Sequence, residues 1–110
     1  MMQDTLSTIE SRLRQGGSMP EQQRRELLEL LAQLKVEISH LSQTHREQAQ
    51  SIASFTDVST FEATRATKNP ESLAHSIGGL EASASEFEVT HPQLAGIVNR
   101  LATLLSNMGI

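Results

Sequence analysis

Residues 27–55 read LLELLAQLKVEISHLSQTHREQAQSIASF, and the spacing of their apolar side chains decides the fold. Nine positions follow one another at alternating intervals of four and three residues: Leu27, Leu31, Leu34, Ile38, Leu41, His45, Gln48, Ile52 and Phe55. This is the a/d pattern of a coiled coil, whose apolar line needs a partner to cover it. We name these nine positions the Leu27–Phe55 seam, and they predict one long helix over about residues 20–55.

Local signals predict further helices on both sides of the long one. Pro70 and Pro92 each stand where a first helical turn tolerates proline, and Gly16-Gly17 is typical of a helix end. Serine and threonine are frequent after Phe55, where they dilute the good helix formers. We therefore predict helices over about residues 5–15, 20–55, 70–88 and 91–108, with a looser segment over 56–69.

Three glycines in the C-terminal half of the chain lead to two further predictions. Gly78-Gly79 lies inside the third predicted helix, where each glycine costs about 1 kcal/mol relative to alanine. Either another backbone approaches closely there or the helix is locally weak. Gly109 follows the last apolar residues and is placed for a left-handed helix cap.

The predicted fold class is all-α. We expect a single helical domain over residues 1–110, a bundle with a long central coiled-coil-like helix and a C-terminal helical hairpin. A helix over 20–55 is about 53 Å long, and each hairpin helix is about half that length. The hairpin therefore covers only part of the seam, and we expect a second copy to cover the remainder in a homo-oligomer, specifically a two-fold dimer.

Composition excludes several classes of function. The net charge of −4 and the dispersed basic residues disfavour nucleic acid, which needs a basic face. Cysteine, tryptophan and tyrosine are absent, which removes disulfides, thiolate chemistry and most base-stacking surfaces. No apolar run approaches a membrane span, and the N-terminus does not read as a signal peptide. We expect no membrane partner and a cytoplasmic location.

The C-terminal part resembles a known family. The residues that carry the likeness are Phe87-Glu88-Val89-Thr90-His91-Pro92, then Leu94-Ala95, Asn99 and the terminal Leu105-Ser106-Asn107-Met108-Gly109-Ile110. They are similar to a bacterial family called a domain of unknown function, DUF4404, and residues 25–41 resemble its middle helix more loosely. The resemblance implies a small helical bacterial protein and nothing catalytic.

Two Glu-x-x-His pairs allow an alternative function. Glu37 with His40, and Glu88 with His91, have the spacing that di-iron carboxylate bundles use. His40 falls on the outer side of the heptad, however, and a helix boundary separates Glu88 from His91. We therefore predict no metal site and no cofactor, and keep a di-iron-like metal-binding bundle as the alternative.

His45 and Gln48 are polar at seam positions. Two hypotheses stay open: the seam is frayed there and both side chains point to water, or they form a buried polar layer that selects register or oligomeric state. Neither hypothesis is catalytic.

No catalytic residues are predicted, because no serine or threonine has a histidine placed by a recognisable motif. We predict a non-enzymatic helical interaction or scaffold protein that self-associates through its long helix. A further possibility is an adaptor that binds an unidentified protein through residues 51–67.

Overall fold

The computed structural model describes residues 2–15 and 19–109, and that part of the chain is built from α-helices without strands. The helices are α1 (Met2–Gln15), α2 (Glu21–Leu41), α3 (Arg46–Thr64), α4 (Pro70–Ser85) and α5 (Pro92–Met108). The all-α class is therefore confirmed for these residues. The predicted helix end at Gly16-Gly17 lies outside them.

The helices form a closed ring in the order α1, α2, α5, α4 and α3, with α3 returning to α1. Lys35 Nζ lies 2.7 Å from Glu10 Oε1, which joins α2 to α1. Arg12 Nη2 lies 2.7 Å from Asp57 Oδ1, which joins α1 to α3. The ring encloses one hydrophobic core, to which all five helices contribute side chains.

The predicted continuous helix over residues 20–55 is wrong. The chain leaves the helix after Leu41 and starts α3 at Arg46. At this corner the Ser42 hydroxyl donates to the Ser39 carbonyl at 2.9 Å, and the Thr44 hydroxyl donates to the Leu41 carbonyl at 3.4 Å. The corner contains neither proline nor glycine.

The predicted looser segment over residues 56–69 is also wrong over its first part, because α3 continues to Thr64. Thr56, Thr60 and Thr64 each donate a hydroxyl hydrogen bond to the carbonyl four residues earlier, at 2.7, 2.8 and 2.7 Å. Each hydroxyl is thereby satisfied within its own helix, which lets threonine be buried there.

Six residues of the Leu27–Phe55 seam are buried within the single chain. They are no more than 1% exposed: Leu27, Leu31, Leu34, Ile38, Leu41 and Ile52. The α2 members are covered where α2 packs on α1 and α5, and Ile52 belongs to α3. A second copy therefore has no access to this apolar line. Self-association remains a prediction, but it requires a different surface.

The remaining seam residues show that α3 does not continue the a/d spacing of α2 beyond the corner, so a different set of positions is buried. The buried face of α3 follows Ala49, Ile52, Thr56, Ser59 and Ala63, again at intervals of three and four. Phe55 is 37% exposed, and His45 and Gln48 are half-buried. Neither hypothesis for His45 and Gln48 holds in its original form, because no common seam passes through them.

Helix ends and glycines position the C-terminal hairpin. The Asn69 side chain accepts a hydrogen bond from the Ser72 amide at 3.1 Å, which caps the N-terminus of α4. Gly109 has φ −87°, so the left-handed cap predicted there is wrong. Its missing side chain instead makes room for Leu73, because a Cβ on Gly109 would overlap that leucine. The end of α5 is thereby held against the start of α4.

Candidate functional site

Two features of the surface carry functional information. One is the pair of connections before α3 (residues 42–45) and before α5 (residues 86–91), which we call the corners; the other is the outer face of α3. The four residues of the di-iron alternative, taken together, are not one of these features. Glu37 and His91 are half-buried, whereas His40 and Glu88 are exposed. In residues 2–15 and 19–109, no three or more histidine, aspartate or glutamate side chains form a group that could hold a metal ion.

The corner before α3 holds His45 in a defined geometry. Its backbone amide donates to the Leu41 carbonyl at 2.7 Å, and its carbonyl accepts from the Ala49 amide at 2.9 Å. The side chain is held as well, since Nδ1 lies 2.8 Å from Thr44 Oγ1. His45 thus links the last turn of α2 to the first turn of α3.

The corner before α5 repeats this geometry. His91 donates its amide to the Phe87 carbonyl at 2.7 Å, and its carbonyl accepts from the Ala95 amide at 3.2 Å. Its Nδ1 lies 2.9 Å from Thr90 Oγ1. The backbone angles agree as well: φ −135° and ψ 66° at His91, against φ −134° and ψ 64° at His45.

The two corners meet at one end of the bundle. The ring centres of His45 and His91 are 6.0 Å apart, with an angle of 82° between the ring planes. Phe87 is 2% exposed and packs edge-to-face against both, at 5.3 Å from His45 and 5.2 Å from His91. Two half-buried imidazoles therefore share one apolar wall.

Sequence reasoning missed this pair, although a signal was present. The stretches LSQTHREQA (41–49) and FEVTHPQLA (87–95) share the pattern apolar-x-x-Thr-His-x-x-x-Ala. The seam accounts for His45 and a helix boundary accounts for His91, so neither interpretation relates the two histidines. The shared pattern predicts the repeated corner, but not that the two corners touch.

The outer face of α3 exposes bulky apolar side chains. Phe55, Val58 and Phe61 are 37%, 48% and 52% exposed. Arg65 lies over the Phe61 ring at 5.5 Å and also contacts the Glu62 carboxylate at 3.1 Å. We name Phe55, Val58 and Phe61 the α3 strip.

Gly79 shapes one end of this strip. A Cβ on Gly79 would fall within 2.7 Å of Phe55 Cδ1, so the ring rests directly on the α4 backbone. The sequence left two possibilities open for Gly78-Gly79: a close approach by another backbone, or a weak helix. A close approach occurs at Gly79, but the approaching group is the side chain of Phe55 rather than a backbone. Among the residues that the structure describes, none has an atom within 4 Å of a Cβ built on Gly78, apart from its own helix backbone and chain neighbours.

Opposite charges flank the two ends of the α3 strip. The N-terminal end of α3 carries Glu47 next to Arg46, and Glu86 lines the groove beside Gln48 and Phe55. Arg65 and Lys68 follow the C-terminal end, where Glu62 contacts Arg65 at 3.1 Å. By count of these side chains, the first end of the strip is net acidic and the second is net basic.

In residues 2–15 and 19–109, no helix combines the length and apolarity needed to cross a membrane.

Comparison with known proteins yields a family assignment. Neither a curated protein nor a solved structure matches the chain. The sequence profile of a family described as "Domain of unknown function (DUF4404)" matches residues 27–110, a range that begins at the first seam residue, Leu27. Because this match covers more than half of the chain, the protein belongs to the DUF4404 family.

Proposed function

We propose that this protein is a non-enzymatic helical interaction module that self-associates as a two-fold dimer through the outer face of α3. The observation that carries the proposal is the α3 strip, which leaves two of the three phenylalanines of the chain partly exposed on one helix. Contiguous exposed apolar side chains on a helix favour association. We expect the cytoplasm as the location, as the sequence predicts.

The strip is self-complementary about Val58. Phe55 and Phe61 lie three residues before and three residues after it, about 60° to either side of Val58 on the helix surface. When two copies of α3 pack antiparallel with Val58 at the centre, Phe55 of each copy faces Phe61 of the other. A two-fold interface requires this property, because the same patch serves both subunits.

The flanking charges favour the same orientation. In the antiparallel pair, the acidic end of each strip, with Glu47 and Glu86, faces the basic end of the other, with Arg65 and Lys68. Ser51 and Ser54 are small and exposed beside the strip, which allows the helices to approach closely. A parallel pair would bring like charges together at both ends.

The area of the strip sets the expected affinity. The exposed parts of its three side chains amount to roughly 250 Å² per copy. Two copies contribute about 500 Å², roughly a third of the 1,600 Å² of a standard interface. The remainder must come from polar surface along α3, so we expect a dimer with a dissociation constant on the order of micromolar.

Sedimentation analysis over a range of concentrations tests the proposal with two matched variants. Val58→Glu places two carboxylates against each other at the centre of the dimer, so we expect it to be monomeric. Val36→Glu on α2 makes the same change at a valine that is 54% exposed and lies away from the strip. We expect this control to dimerise like the wild type.

A wild-type protein that stays monomeric at hundreds of micromolar overturns the proposal. So does a Val58→Glu variant that associates as strongly as Val36→Glu, since the surface would then lie elsewhere. If the wild type is monomeric, the α3 strip remains exposed, which is the situation that the adaptor alternative over residues 51–67 requires.

A further inference from the structure

We propose that His45 and His91 form a two-histidine site for a borderline divalent transition-metal ion of the Zn²⁺, Ni²⁺ or Cu²⁺ type. Imidazole nitrogen is a preferred ligand of these ions. This site differs from the di-iron alternative, since it uses one histidine from each corner and no carboxylate. It is independent of the proposed dimer, which uses the face of α3 rather than its N-terminal corner.

The distance between the rings suits a shared ion. A metal–nitrogen distance of about 2.0–2.1 Å places the centres of two imidazoles on one tetrahedral ion roughly 5 Å apart. The ring centres of His45 and His91 are 6.0 Å apart. A shift of about 1 Å shared between two half-buried side chains brings them within range.

The threonines are placed to accept from the nitrogen that does not bind the metal. Nδ1 of His45 lies 2.8 Å from Thr44 Oγ1, and Nδ1 of His91 lies 2.9 Å from Thr90 Oγ1. With the metal on Nε2, each Nδ1 carries the proton and donates it to the threonine oxygen. Metal-binding histidines are commonly oriented through their second nitrogen by such a partner.

Electrostatics predicts a modest affinity. Both histidines precede helix N-termini, whose partial positive charge opposes a bound cation. The net charge of −4 acts in the opposite direction over the whole molecule. With two protein ligands, the other coordination positions are left to water, as in open metal sites. We expect a dissociation constant in the micromolar range.

Calorimetric titration of tag-free protein with Zn²⁺ tests the site, and the chain supplies its own controls. We expect one ion per chain for the wild type, and a loss of about tenfold or more in affinity for His45→Gln and for His91→Gln. His40→Gln and His75→Gln remove exposed histidines elsewhere and should bind like the wild type. No binding at hundreds of micromolar Zn²⁺, or equal binding by all four variants, overturns the proposal.

A second measurement needs no variant and therefore does not depend on the folding of His45→Gln or His91→Gln. Substoichiometric Cu²⁺ broadens the NMR signals of nearby nuclei. We expect the imidazole signals of His45 and His91 to broaden before those of His40 and His75. Broadening that spares the corner pair contradicts the site.

Discussion

The inward faces of α2 and α3 differ in the size of their side chains, although both follow the same three–four spacing. α2 buries Leu27, Leu31, Leu34, Ile38 and Leu41, whereas α3 buries Ala49, Ile52, Ala53, Thr56, Ser59, Thr60 and Ala63. Ile52 is the one large apolar side chain among them, and the others of α3, Phe55, Val58 and Phe61, are on its exposed side. Spacing therefore identifies a helical face, and side-chain size does not reveal which face is inside.

The small inner face of α3 has a structural consequence. Phe55 can rest on Gly79 only because the two helices lie close together, and small side chains allow such an approach. α2 is instead held by large aliphatic side chains packed against α1 and α5. We therefore expect truncated side chains to cost the most stability on the buried face of α2. Enlarged side chains should instead disturb the contact between α3 and α4.

The largest effect is expected from Leu34→Ala, which removes a fully buried side chain from α2. Such truncations cost about 2–5 kcal/mol through lost burial and the cavity left behind. Ala53→Gly at a fully buried position of α3 should cost only about 1 kcal/mol, chiefly from helix propensity. Denaturant unfolding of both variants measures the contrast, and equal losses would contradict it.

Gly79→Ala tests the close approach of α3 and α4. The new methyl group overlaps the Phe55 ring, so we expect a loss of about 1–3 kcal/mol in the free energy of unfolding. Gly78→Ala is the matched control, because the described residues leave open space around its would-be Cβ. Its greater helix propensity should raise stability by about 0.5–1 kcal/mol.

The two glycine variants should therefore shift the thermal midpoint in opposite directions. A gain at both positions would mean that Phe55 moves aside without cost. In that case the contact between Phe55 and Gly79 does not hold α3 against α4.

Ser59→Ala examines a polar atom on the inner face of α3. Within the described part of the chain, Ser59 Oγ is buried without a hydrogen-bond partner, whereas the Thr56 hydroxyl donates to the Ile52 carbonyl at 2.7 Å. We expect Ser59→Ala to raise the free energy of unfolding by about 0.5–1 kcal/mol, and Thr56→Val to lower it by about 1 kcal/mol. Chemical denaturation compares them, and a loss in Ser59→Ala would indicate that its hydroxyl is bonded in solution.

The smallest effect is expected from Asp57→Asn, which removes the ion pair between α1 and α3. Arg12 and Asp57 have side chains that are 55% and 39% exposed, so solvent screens their attraction. We expect a loss of no more than about 0.5 kcal/mol. Thermal melts at low and high salt measure it, and a loss above 1 kcal/mol would show that α3 depends on this link.

Sequence reasoning was most reliable where the determining interactions are local. The helical class, the inward face of α2 and the starts of α4 and α5 follow from periodicity and from proline and asparagine at helix starts. It failed at Ser42–His45, because α2 ends there without the proline or glycine that marks a helix end in a sequence. It also failed at Thr56–Thr64, because low helix propensity does not account for hydroxyl groups that bond the carbonyl one turn earlier.

By itself, the sequence determined that the chain is helical and which residues of α2 are apolar enough to be buried, since both depend on neighbours within a few turns. Only the tertiary structure decided what covers them. Which face of α3 is buried depends on the corner after Leu41, and the spacing of apolar residues does not reveal that corner. The apolar face of α2 is covered by α1 and α5 of the same chain. His45 and His91 are 46 residues apart and meet only because the ring of helices brings both corners to one end.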